Sequence, residues 1–407
     1  MAGLFTHKQL QSTSHVAGKI ASCAACGLYS SVESPRMKPY GNFKREIMNI
    51  GEAPGEAEDA SGMPWQGKTG HLLKRMYKKV GIDLFEDCIN LNAVNCRPTD
   101  KEGYNRPPTN NEILNCRTRV LKAIDKYKPS VIVLLGTSAI ASVIGNHWKK
   151  DLGSVSKWRG FCIPEQDYNA WVCPVFHPSY VERGEREIET IYLQDFQRIA
   201  EVIDKPLLKY RVPKIEVIED LSVLYDVPDL VAFDYETTGI KPHEKGHRII
   251  CASVATSEDH AYTFMMPNTK KERQPFIDML ANSQISKMAH NMKFEITWSR
   301  VRLRTEVNNM LWDSMLAAHI LDNRTGITGL KFQTYVNFGI GDYDSDVSPY
   351  LQSNDSKNGN ALNRIEELIQ IPESKEKLLR YCALDSIYQY RLAVLQQQIM
   401  DYSYLPF

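Results

Sequence analysis

Apolar residues along this chain fall into two patterns, and their arrangement changes once. Up to about residue 204, short, mostly apolar runs at 46–50, 131–135 and 172–176 alternate with stretches whose apolar positions recur every three to four residues, such as TGHLLKRMYKKV (69–80) and NEILNCRTRVLKAIDKY (111–127). Such runs suit strands buried on both faces, and the longer periodic stretches suit helices lying on those faces. The expectation is an α/β domain with a parallel sheet. A basic, proline-bearing stretch, KPLLKYRVPK (205–214), then interrupts the pattern. Beyond it LVAFDYETTG, HRIICASVAT and DHAYTFMMP read as three successive strands, and the remainder is mostly helical, which predicts a mixed sheet with helices. The predicted organisation is a first domain over 1–205, a linker over 206–214 and a second domain over 215–407.

A length of 407 residues agrees with two domains, and 43% hydrophobic with 24% charged residues is ordinary globular composition. No apolar run approaches the roughly 20 residues of a membrane span, and the N-terminal MAGLFTHKQLQSTSH lacks a secretory core. The protein is therefore expected in the cytoplasm, with no membrane partner. A net charge of zero hides an asymmetry: residues 1–214 carry +7 and residues 215–407 carry −7. The first half is thus the one suited to phosphate.

Seven of the nine cysteines lie in that basic half. Cys23 and Cys26 form a CxxC pair, and Cys96 and Cys116 flank the proline-rich RPTDKEGYNRPP segment. Inside a cell, four such thiols suggest tetrahedral zinc or an iron–sulfur cluster rather than disulfides, and their spacing alone does not choose. Gly51-Glu52-Ala53-Pro54-Gly55 describes a tight turn at the carboxyl end of a strand, where open α/β sheets place ligands. GMPWQGKTG, NAVNCRP, LLGTSA, WRG and FHPSY follow it.

Together these segments resemble the iron–sulfur-containing family-4 uracil-DNA glycosylases, over residues 18 to about 200. The resemblance implies a three-layer α/β/α domain that hydrolyses the N-glycosidic bond of a flipped uracil, with a 4Fe-4S cluster on Cys23, Cys26, Cys96 and Cys116. It assigns base stacking to Trp65, where the family usually has phenylalanine, edge reading to Asn92, and stabilisation of charge on uracil O2 to His177. Ala53, expected with Asp59 beside the bound base, stands where many glycosylases carry a water-activating aspartate, which leaves Glu52 and Asp59 as the nearby acids for orienting water, unless Glu52 caps the following turn. Asn95 stands where lysine is common.

In the second half Asp234 and Glu236 end an apolar strand two positions apart, hence on one face, and two acids buried together call for a cation or a proton. Tyr381 and Asp385 are spaced to share one side of a helix. With AHNMKFE, carrying Glu295, and LWDSMLAA, carrying Asp313, these blocks resemble in order the three exonuclease motifs of the proofreading domains of family-A DNA polymerases, in their tyrosine-bearing branch. That resemblance implies an RNase H-like fold and two Mg²⁺ or Mn²⁺ ions held by Asp234, Glu236, Glu295 and Asp385, with Tyr381 orienting water. The family's second acid is usually aspartate, so Glu295 departs by one methylene. Asp313 is expected to cap a helix or support the site.

The combined order resembles the front part of certain bacteriophage polymerases. The chain ends at Phe407 with no polymerase palm following, so editing rather than synthesis is expected, on DNA and with a separately supplied polymerase as candidate partner. The alternative is a 3′-5′ exonuclease whose cluster-bearing half only binds DNA or that polymerase.

Overall fold

The three apolar runs become strands of a first sheet, which two further strands complete. In the computed structural model, which describes residues 23–400 except 149, 354 and 356–359, the runs are β1 (Ile47–Gly51), β3 (Val131–Leu135) and β5 (Ala170–Val175), and β2 (Cys88–Asn92) and β4 (Ile163–Glu165) join them. Their order is β2-β1-β3-β5-β4, parallel except for the antiparallel edge strand β4. The N-terminal stretch expected to lack a secretory core lies within 1–22, outside the described residues, and among the described residues no helix is long and apolar enough to cross a membrane.

Around this sheet lie α1 (Glu56–Ser61), α2 (Lys68–Lys79), α3 (Asn110–Tyr127), α4 (Thr137–His147), α5 (Val155–Trp158), α6 (Pro178–Arg183) and α7 (Arg186–Val202). Adjacent strand residues point to opposite faces, which sorts the core into two layers. Met48 and Ile50 meet α3 and α4 through Val120, Ile124, Ile140 and Val143. Ile47 and Val133 meet α2 and α7 through Leu73, Tyr77 and Phe196. The result is three layers, α/β/α.

The second sheet contains β6 (Lys214–Val217), β7 (Leu230–Thr237), β8 (Ile249–Ser257), β9 (His260–Met265), β10 (Ser286–Ala289) and β11 (Met310–Asp313). Its order is β11-β10-β7-β8-β9-β6, with antiparallel pairs β7–β8 and β8–β9 and the other pairs parallel. Helices α8 (Lys270–Ala281), α9 (Met292–Trp298), α10 (Ser314–Leu321), α11 (Leu330–Phe338), α12 (Ser348–Leu351), α13 (Ile365–Ile369) and the long α14 (Pro372–Ile399) accompany it. Phe233 and Tyr235 pack toward α8 and α9, while Ala232 and Ala255 pack toward α14.

Helix α11 crosses the division that the sequence suggests. Although it follows the second sheet in the chain, its Phe332, Tyr335 and Val336 lie in the same hydrophobic cluster as Ile50, Ile140 and Trp158 of the first half. The Tyr335 hydroxyl donates to buried Glu165 at 2.7 Å. At the end of the helix Gly339 lies so close to the Pro164 carbonyl that a Cβ would meet it at 1.8 Å.

Candidate functional site

Three groups of side chains gather at the carboxyl ends of strands or beside them. The first is sulfur. Cys23, Cys26, Cys96 and Cys116 line one cavity with Leu28, Arg36, Val94, Asn95, Asn115 and Arg119. All four are free thiols, Cys96 and Cys116 buried and Cys23 and Cys26 half-buried. Burial raises the Cys96 and Cys116 thiols above their ordinary pKa, and the neighbouring thiols push the same way. Against this, the Arg36 backbone N–H donates to Cys96 Sγ at 3.2 Å, and the Asn95 N–H and side-chain amide donate to Cys116 Sγ at 3.4 and 3.6 Å. Donors aimed at sulfur stabilise thiolate ligands, so an all-thiolate inorganic centre fits this cavity. Asn95 also donates to the Asn92 carbonyl at 2.9 Å, which ties the sulfur cavity to the next group.

That second group surrounds Gly51. A Cβ at this position would meet Asn92 Oδ1 at 2.4 Å and the Trp65 indole at 3.0 Å, so glycine is what lets the two side chains close over the strand end. The indole N–H of Trp65 donates to Asn90 Oδ1 at 3.1 Å, and its ring lies 6.3 Å from that of His177. The loop carrying Trp65 is fastened by Glu58, whose carboxylate accepts from the N–H groups of Gln66 (2.9 Å), Gly67 (3.1 Å) and Gly55 (3.1 Å). Sequence reasoning passed over Glu58, although an acid three residues after a helix-opening glycine is a capping signal.

His177 precedes α6, and its Nδ1 accepts from the Ser179 N–H at 3.3 Å. With Nδ1 accepting, the ring proton belongs on Nε2. Burial, reinforced by the charge of Arg183, lowers its pKa to about 4, so the ring is neutral at neutral pH. Glu52 accepts from the Ser138 hydroxyl at 3.0 Å. Asp59, expected to help orient water, has other work: it accepts from the backbone N–H groups of Glu33 and Ser34 at 3.2 and 2.9 Å and fastens the segment after the CxxC pair. Ala53, expected beside the base, packs instead against the cluster of Leu28, Val94, Cys96 and Cys116.

The third group is acidic. Asp234 and Glu236 lie on β7, inside the second sheet, Glu295 on α9, and Tyr381 and Asp385 on α14. The register of α14 on the sheet is set by the Gln389 amide donating to Phe233 O (2.6 Å) and the Ser253 hydroxyl donating to Cys382 O (2.7 Å). Burial raises Asp234, Glu236 and Glu295 well above the carboxylate range, and the acids raise one another: Asp385 acts on Asp234, and Asp234 acts on both glutamates. Glu295 Oε2 is buried with no hydrogen-bond partner among the described residues. Ligand atoms of Asp234, Glu236 and Cys382 lie within 4.8 Å of one another. Asp234 and Glu236 are hard oxygen donors close enough to share a divalent cation, while Cys382 offers a softer sulfur and Glu295 and Asp385 stand outside this 4.8 Å group.

Two residues here were missed. The Tyr343 hydroxyl donates to Asp385 Oδ1 at 2.6 Å, and Lys331 forms an ion pair with the same carboxylate. Nothing in their local sequence marks them, because each reaches the site from a separate segment.

Asp313 is a double cap. It accepts from the N–H groups of Asn291 (3.1 Å) and Met292 (2.9 Å) at the start of α9, and from Met315 (2.9 Å) and Leu316 (3.3 Å) at the start of α10. Asn291 adopts the left-handed conformation, φ 64°, that turns the chain into α9. Since one cap contributes about 1 kcal/mol, Asp313→Ala is expected to cost about 2 kcal/mol, measured by denaturant unfolding. The same variant should loosen Glu295 by freeing the start of α9.

Residues 38–201 match the model of the uracil-DNA glycosylase superfamily, and residues 215–400 match that of a 3′-5′ exonuclease family. A type-4 uracil-DNA glycosylase of Thermotoga maritima is 34% identical over 203 residues, covering 50% of this chain and 99% of that protein. This chain belongs to the type-4 uracil-DNA glycosylase family. The Archaeoglobus fulgidus type-4 enzyme is 30% identical over 198 residues, covering 48% of this chain and 96% of its own. A DNA polymerase of Bacillus phage SP01 is 23% identical over 325 residues, 71% of this chain but only 34% of the polymerase. That alignment is longer than either family match, so it takes in parts of both halves. Among solved structures, Brucella melitensis NrnC with bound Mg²⁺ aligns at 18% identity and a TM-score of 0.35, over 47% of this chain and 84% of that one.

Proposed function

We propose that this chain is a DNA-editing hydrolase with two sites, one that excises uracil and one that removes 3′ nucleotides. The observation that carries the proposal is the pair Asp234 and Glu236 on β7 with ligand atoms within 4.8 Å, near enough to Asp385 of α14 and Glu295 of α9 for the acids to raise one another, in a chain whose other half is a type-4 glycosylase relative.

At the first site a uracil flipped out of its stack lies against Trp65, which returns part of the unstacking cost, and the Asn92 amide reads its edge. Neutral His177 presents Nε2–H to the uracil O2 and stabilises the charge that develops as the glycosidic bond breaks, without first losing a proton. Glu52, steadied by the Ser138 hydroxyl, orients the attacking water. Cys23, Cys26, Cys96 and Cys116 would hold a 4Fe-4S cluster, which would tie the segment carrying the CxxC pair to α3.

At the second site Asp234, Glu236, Glu295 and Asp385 hold two Mg²⁺ or Mn²⁺ ions, which when bound supply the Lewis acidity for phosphodiester hydrolysis. Tyr381 directs its hydroxyl toward the water that attacks phosphorus. The additional methylene of Glu295 is accommodated by α9, which is set by Asp313. The substrate is DNA, and the reactions belong to repair or replication of phage type, with a polymerase supplied by a separate chain.

The test uses a 5′-labelled oligonucleotide carrying one uracil. With EDTA, alkali-sensitive abasic sites should form while the 3′ end stays intact; with Mn²⁺, 3′ shortening should appear. His177→Ala should slow excision about 100-fold and leave shortening unchanged. Absence of abasic product from the parent protein would withdraw the glycosylase reading.

A further inference from the structure

We propose that Lys331 is a working residue of the exonuclease centre, an ammonium that contacts the phosphate being cleaved, held in place by the core of the glycosylase half. The inference rests on the exonuclease reading above.

Lys331 is the second residue of α11, and its Nζ pairs with Asp385. The same ammonium lies 4.3 Å from the ring centroids of both Tyr343 and Tyr381. Tyr381 is the residue assigned to the attacking water, and Tyr343 shares Asp385 with the lysine. The lysine side chain is only 20% exposed, so this cation is built into the wall of the acidic site rather than left on the surface.

The charge at the site explains why a cation belongs there. Four carboxylates and two divalent cations cancel, so a phosphodiester entering the site brings uncompensated negative charge, which grows as the phosphorus gains a fifth oxygen. Lys331 supplies the missing positive charge. With Asp385 engaged as a metal ligand, the ammonium beside the Tyr343 and Tyr381 rings would have a donor for a non-bridging phosphate oxygen.

The position of the lysine is fixed from outside the exonuclease sheet. On the same helix Phe332 packs 5.0 Å from Trp158, and Tyr335 lies 5.6 Å from Trp148, both of the first half. With the Tyr335–Glu165 hydrogen bond and the close approach of Gly339 to Pro164, α11 cannot shift without opening the first half's core.

The full-length protein is tested as Lys331→Met and Lys331→Arg. Methionine should slow single-turnover 3′ shortening with Mn²⁺ on the order of 10- to 100-fold, arginine should restore most of the rate, and uracil excision in EDTA should match the parent in both. A second measurement reads the contact itself: binding of a single-stranded oligonucleotide with Ca²⁺ as the metal, over a range of salt. Loss of one phosphate contact should lower the slope of log Kd against log salt by about 0.7 in the methionine variant. Parental shortening rates in Lys331→Met overturn the proposal, as does a slowed rate with an unchanged salt slope, which would confine Lys331 to steadying Asp385. A parent protein that shortens no DNA with Mn²⁺ would instead remove the exonuclease reading.

Discussion

Asp234→Asn combined with Glu236→Gln is expected to abolish phosphodiester hydrolysis, by about 1,000-fold or more, while raising the melting temperature of the metal-free protein. The two effects share one cause. Burial and mutual repulsion hold both acids well above the carboxylate range. A carboxyl whose folded pKa is raised contributes stability that is fully present below its unfolded value near 4 and is lost as pH rises through the folded value. At neutral pH and without metal, these acids therefore oppose folding, and neutral amides of the same shape remove that cost. The gain in melting temperature should be larger at pH 8 than at pH 5, measured by thermal unfolding in EDTA. Metal shows the same sign: Mn²⁺ should stabilise the parent more at pH 8 than at pH 5, and the double variant little at either. A variant that unfolds earlier than the parent in EDTA at pH 8 would contradict this account of the acidic group.

Cys116→Ser is expected to cost the most stability. Cys116 lies on α3 with two donors aimed at its sulfur, and Cys96 and the CxxC pair approach from other segments. An inorganic centre joining them closes long loops, and a lost metal centre of this kind removes several kcal/mol. The serine variant should lose visible absorption and bound iron, and its melting temperature should fall by about 10 °C or more. Exonuclease activity should fall at assay temperatures where the parent is fully folded, because α11 shares a core with Ile140 and Trp158 of that half. Retention of parental iron content by Cys116→Ser would remove this cysteine from the site.

Chemistry that depends on neighbours in sequence was legible before any fold. The strands carrying Gly51 and Asp234 announced themselves as apolar runs, and the i, i+2 pair of Asp234 and Glu236 and the i, i+4 pair of Tyr381 and Asp385 follow from strand and helix periods. What misled was proximity along the chain. Asp59 stands seven residues after Glu52 and looked available to water, yet its helix turns it toward the backbone of Glu33 and Ser34. Ala53 adjoins Glu52 yet packs against the cluster of Leu28, Val94, Cys96 and Cys116.

Residue types and spacings were thus sufficient for two α/β units, a set of four thiols, a glycine turn at one strand end and an acidic pair on another, since each is a pattern of period or short-range chemistry. The tertiary arrangement alone decided that Lys331 and Tyr343 reach Asp385, that His177 is held neutral, and that α11 belongs to two cores. Those outcomes depend on burial and on contacts between segments far apart in the chain, such as Tyr335 with Glu165. No local pattern encodes such contacts, because the free energy that sets them comes from surfaces that exist only after the sheets have packed.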